Sequence, residues 1–250
     1  MSYAQTNVQL YNQLRRADWA DDDLRHLQAA YRLAMRVVPG HYRPNEKPLL
    51  AHLIGVASIL ASCGAPSTIV SAGLLHSVYN DGEFGDGSRG TSEDKRREVR
   101  RAVGAACAEL VARYASFPWS VASLENFLAR APNLPAIDAA VALMKLADTL
   151  ENYHESGIEY SPVESSPDAR RTWLDAAARL AGALGHDPLA EELAQLRRAD
   201  DGRVPEFLQT GHRGSFAVAP MSHGVRTKVR LGMLYRLMRD RVRPAGRSAA

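Results

Sequence analysis

Three polar residues stand where helical patterning asks for apolar ones. His52 shares a face with Leu49, Leu53, Val56, Ile59 and Leu60, and His76 closes the run AGLLH on the face of Ile69, Ala72 and Gly73. Asp148 lies inside ALMKLADTL, one turn before Asn152. Burying a carboxylate costs several kcal/mol unless a cation, a metal or hydrogen bonds compensate it. Taken singly, a histidine on an apolar face is more often a core residue bonded to a carbonyl, and a lone aspartate more often sits at a helix's wet edge. Taken together, two imidazoles and one carboxylate from three helices match the mixed nitrogen and oxygen ligation of divalent transition metals.

Other groups could serve an anion. The loop GHYRPNEKP, just before the His52 helix, carries His41, Arg43 and Lys47; a guanidinium can bind phosphate bidentately and an ammonium adds a point charge. Lys145, three residues before Asp148, reads as a helix-surface charge. Glu151, His154 and Glu155 either line a pocket mouth or pair with one another in solvent. Arg89 reads as a solvated loop residue. Cys63 and Cys107 lie in apolar helical contexts and read as small core hydrophobes, since two cysteines make no disulfide framework. No phosphate-binding glycine loop, CxxC pair, HExxH or GxSxG motif occurs, which removes the most readily recognised enzyme classes.

The elements that must position these groups are helical, because spacings of three and four dominate and sustained alternation is missing. Helices are predicted over residues 8–16, 23–38, 48–62, 68–79, 121–131, 135–156, 169–184 and 188–198, with one broken or two consecutive helices after Thr91 and a last one over 225–243. Asn80 to Thr91 holds four glycines and reads as a long loop. Residues 1–160 are assigned to a helical core and 161–250 to a C-terminal helical extension.

Composition sets the class. The chain has 250 residues, 46% of them hydrophobic and 24% charged, enough for a full core. Its longest apolar run is about half of the roughly 20 residues that span a bilayer, and the start of the chain lacks signal-peptide features. The expected location is the cytoplasm, with no membrane partner. The net charge of +3 hides an asymmetry: residues 222–250 hold eight Arg or Lys against Asp240, so the remainder is acidic. The basic tail gives no reason to expect nucleic-acid binding by the main body.

The segments HYRPNEKPLLAHLIGVASILASCGAPSTIVSAGLLHSVYND, VGAACAELVARYAS and LMKLADTLEN resemble, in order and spacing, the HD-domain metal-dependent phosphohydrolases, and among them the hydrolase domain of the (p)ppGpp synthetase/hydrolases. The resemblance covers residues 23 to 157 and implies an all-α, HD-domain-like bundle with extra C-terminal helices. It also implies a divalent metal, usually manganese, held by His52, His76 and Asp148. The aspartate that pairs with the second histidine in that family falls on Ser77, and its Glu-Asp pair falls on Asn80 and Asp81. Asp81 and Ser77 are therefore the candidate catalytic groups, with Asp81 or Glu83 able to swing in from the loop. Arg43, Lys47 and Asn152 are the candidate substrate contacts. The expected activity is hydrolysis of a small phosphorylated or anionic substrate. One alternative is an iron-dependent biosynthetic enzyme such as an oxygenase; the other is a metal-free module that binds a ligand or partner, for which Ser77 and Asn80 speak.

Overall fold

The computed structural model describes residues 3–85, 88–160, 166–198 and 204–218. Met1–Phe216 pack as one compact unit, and Ala217–Ala250 form a second, of which Ala217 and Val218 are described. The fold is all-α, as the 3.6-residue periodicity predicts. In chain order come α1 (Asn7–Arg16), α2 (Asp21–Val37), α3 (Leu49–Ser62), α4 (Ser67–Leu74), α5 (Val78–Asp81), α6 (Glu93–Ser116), α7 (Val121–Arg130), α8 (Ala136–Tyr153), α9 (Pro167–Ala183) and α10 (Asp187–Arg198). The only strands among the described residues are the two-residue pieces β1 (His41–Tyr42) and β2 (Phe216–Ala217). No described helix is long and apolar enough to cross a membrane.

Local chemistry explains the boundaries. The Thr6 hydroxyl accepts from the Gln9 amide while the Gln9 side chain accepts from the Thr6 amide, a reciprocal cap that opens α1. Asp21, Asp22 and Asp23 place negative charge on the first turn of α2, where the helix dipole favours it. Gly104, at φ +77°, breaks α6 into two helical stretches, and glycine alone takes that conformation without steric cost. This is the interruption predicted after Thr91.

Two helices run through the middle. α3 is buried at His52 and at every residue from Leu53 through Leu60, and α8 from Ala140 through Met144 and from Leu146 through Glu151. They pack on each other, with α4 and α6 also against α8. A polar side chain on either helix has no water to fall back on, so it must find partners inside the protein. α9 and α10 pack on each other, and α9 also meets α7.

The structure corrects two expectations here. The helix predicted over 68–79 stops at Leu74, turns through Leu75, His76 and Ser77, and resumes as α5. The His76 Nδ1 donates to the Gly73 carbonyl at 2.8 Å, and the His76 amide reaches that same oxygen at 3.3 Å. That carbonyl is the one the next helical turn would have used, so a side chain displaces the ladder. The loop predicted from Asn80 correspondingly begins at Gly82, after Asp81 has closed α5. The predicted last helix over 225–243 lies outside the described residues.

Candidate metal centre

His52 reaches the centre from the first turn of α3, His76 from the turn after α4, and Asp148 from the fourth turn of α8. All three are buried. The His52 Nε2 lies 3.4 Å from the His76 Nε2 and 3.3 Å from Asp148 Oδ1, and the His76 Nε2 lies 3.7 Å from that same oxygen. Donors about 2.1 Å from one ion stand roughly 3.0 to 3.4 Å apart, so the three atoms are spaced much as ligands of a single cation.

The opposite ring nitrogens decide what these atoms offer. The Gly73 carbonyl only accepts, so the His76 Nδ1 carries hydrogen and its Nε2 presents a lone pair. The His52 Nδ1 hydrogen-bonds Glu151 Oε2, a carboxylate buried on α8. With neutral rings, two lone pairs and an anionic oxygen face one point, which is a repulsive arrangement until a cation enters. The donor set therefore fits a divalent ion.

Asp148 is heavily supported on its other atoms. Its Oδ2 accepts from the Tyr114 hydroxyl and from Lys145 Nζ, each at 2.7 Å, and its Oδ1 accepts from Asn152 Nδ2 at 2.9 Å. Burial alone would raise its pKa, but the Lys145 ammonium holds it well below the usual carboxylate range. The same Asp148 charge, after burial, pushes the Tyr114 hydroxyl well above its ordinary value. For His76, desolvation outweighs the attraction of Asp148 and lowers its pKa to about 4, so the ring is neutral and able to ligate at physiological pH. Glu151 is held down against its burial by His52 and then by Lys47, whose Nζ pairs with Oε1.

The predicted substrate contacts lie on the flank of this centre. Arg43 Nη2 donates to Asn152 Oδ1 at 2.6 Å, which ties the basic loop to the Asp148 helix. Asn45 Nδ2 donates to the Gly157 carbonyl at 3.0 Å, a further anchor of that loop. Ser77, beside His76, has a buried hydroxyl with no hydrogen-bond partner among the described residues. The carboxylate of Asp81 is not part of the His52, His76 and Asp148 cluster. Glu83 lies 4.0 Å from the buried His41 and is not part of that cluster either.

Sequence reasoning misplaced two residues, Lys145 and Glu151, and missed a third, Tyr114. Lys145 is not a helix-surface charge: it is bonded to Asp148, and its ammonium lies 5.6 Å from the rings of Trp119 and Trp173 and 5.9 Å from that of Tyr114. Glu151 is buried against His52 and neither lines a pocket mouth nor pairs in solvent. Spacing carried a signal for both, since they sit one turn either side of Asp148. Tyr114 gave none.

A family model described as a domain of unknown function, DUF6817, matches residues 35–118. The chain is 30% identical over 173 residues to a GTP pyrophosphokinase of Streptomyces antibioticus, covering 69% of this chain and 20% of that protein. It is 29% identical over 191 residues to the bifunctional (p)ppGpp synthase/hydrolase SpoT of Escherichia coli K12, covering 74% of this chain and 25% of that one. It thus spans a quarter or less of the length of these relatives. A solved structure described as a metazoan ortholog of SpoT that hydrolyzes ppGpp aligns with a TM-score of 0.48 and 21% identity, over 72% of this chain and 97% of that one.

Proposed function

This chain belongs to the HD-domain superfamily on its (p)ppGpp synthase/hydrolase branch, and from that premise we propose that it is a metal-dependent hydrolase of a phosphorylated nucleotide, acting in the cytoplasm. The observation that carries the reading is the convergence of two imidazole Nε2 atoms and one carboxylate oxygen, each ring turned by a partner on its Nδ1. His52, His76 and Asp148 would hold the ion, manganese in first place. A divalent ion held there would supply polarisation of a phosphoryl oxygen and a water made nucleophilic near neutral pH.

The chain's own groups do the rest. Arg43 and Lys47 bind the anionic part of the substrate from the loop before α3, and Asn152 holds the Arg43 guanidinium in place. Asp81 orients the attacking water and takes its proton, and the Ser77 hydroxyl, which has no partner within the described protein, bonds a water or substrate oxygen. The names of the relatives make guanosine bis(diphosphate) the first substrate to assay.

A second reading, a metal-free anion-binding module, draws on a specific observation. Asp148 already has Lys145, Tyr114 and Asn152 around it, so its charge is compensated without an ion. One experiment separates the two. Calorimetric titration with manganese, followed by an assay of pyrophosphate release, should give a bound ion and manganese-dependent turnover, both lost in His76→Ala. Absence of metal binding would favour the module; binding of iron with oxygen consumption would favour an oxygenase.

A further inference from the structure

Lys47, Glu151 and His52 lie in a line from solvent to the metal donors. We infer that they form a relay through which an anion captured at the basic loop strengthens metal binding at His52, His76 and Asp148, an inference that rests on the metal-binding reading above. Glu151 is 4% exposed and spends one oxygen on each neighbour: Oε2 on the His52 Nδ1 and Oε1 on Lys47 Nζ. A carboxylate behind a ligating imidazole raises the basicity of the nitrogen that faces the metal. An ammonium on the same carboxylate withdraws part of that effect. An anion that attracts Lys47 therefore releases Glu151 to act fully on His52.

The geometry makes Lys47 the movable member. Its side chain is 27% exposed and comes from a loop, whereas Glu151 is pressed against α3. A Cβ at Gly55 would stand 2.7 Å from both Cγ and Oε1 of Glu151, so the carboxylate occupies space that only a glycine leaves open. The other lysine at the centre cannot act this way. Lys145 is 16% exposed, and its ammonium is bonded to Asp148 and flanked by three aromatic rings. Anion binding thus reaches the metal through Glu151, not through Asp148.

The test is calorimetric titration of the full chain with manganese, with and without saturating sulfate as the probe anion. Wild type should bind manganese about fivefold more tightly with sulfate. Lys47→Met should bind more tightly without sulfate and respond little to it, a gain that damage to the fold does not produce. Glu151→Gln should weaken manganese binding about tenfold, and Lys47→Met should change nothing further in that background. Equal tightening by Lys47→Met in both backgrounds would mean that Lys47 acts directly by its field, and the relay falls. It falls too if sulfate leaves the wild-type affinity unchanged while His76→Ala still abolishes binding; the metal reading then stands alone. No manganese binding by wild type or Lys47→Met overturns both. Should Glu151→Gln lose its helical spectrum, the wild-type sulfate response and the sign of the Lys47→Met effect decide.

Discussion

Two sets of ion pairs in this chain use the same chemistry in opposite surroundings. Across the surface, Arg36 of α2 meets Glu98 of α6 at 2.6 Å, with side chains 62% and 38% exposed. In the centre, Lys145 meets Asp148 at 2.7 Å, with side chains 16% and 6% exposed. Distance does not distinguish them; what surrounds them does. Losing one partner of the outer pair leaves a hydrated charge, whereas losing one partner of the inner pair leaves an unpaired charge among apolar helices.

The sharpest way to break that contrast is Lys145→Met. It should cost roughly 3 to 5 kcal/mol in urea unfolding, the range for removing one partner of a buried pair. Added manganese should recover part of the loss, since a dication at the same carboxylate replaces the missing charge. A variant as stable as wild type would mean that the inner pair behaves like a surface one.

Acid probes the same centre without mutation. His76 titrates at about 4 in the folded chain against an ordinary 6.5. Because the unfolded chain takes up the proton first, stability is complete above about 6.5, declines as the pH falls, and loses roughly 3 kcal/mol from this group by about pH 4. Urea midpoints across that window check it, and His76→Gln should flatten the curve there. Asp148 and Glu151, both held below their usual values, should add losses that begin as the pH falls through the ordinary carboxylate range of about 4 to 5 and deepen below it.

Crowding gives the next effect. Gly55→Ala should destabilise the chain by about 2 kcal/mol, because Glu151 must leave its place against α3. Manganese affinity should fall with it, which calorimetry would read. Ser77→Asp adds a carboxylate beside His76 and should raise manganese affinity about tenfold, equivalent to about 1.4 kcal/mol; an unchanged affinity would place that side chain away from the ion. At the bottom of the scale, Arg36→Ala should change stability by no more than about 0.5 kcal/mol. A larger loss would show that the outer pair is not the inert member of the comparison.

How much of this was legible in the sequence depends on whether the determinant is local. The spans of α1, α3 and α8 follow from apolar spacing and caps, and the break at Gly104 from a glycine within a helical pattern. The end of α4 was not legible, because LLHSVYN continues the apolar pattern while the His76 ring takes a backbone oxygen from the ladder. His52, His76 and Asp148 could be singled out because polar residues in apolar helices are conspicuous. Lys145 and Glu151 have the same spacing signal, yet polar residues one turn from a candidate are equally common on wet faces. What buries them comes from far along the chain: Trp119 and Trp173 flank Lys145, and α3 covers Glu151.

The bond from His76 to the Gly73 carbonyl has an evolutionary consequence. One hydrogen bond both aims a candidate metal donor and ends a helix, so selection for a folded chain should guard His76 even in copies without turnover. Descendants that abandon turnover should shed residues whose only task is chemistry well before they shed this imidazole. Its persistence in a lineage is therefore testimony to architecture before it is testimony to turnover.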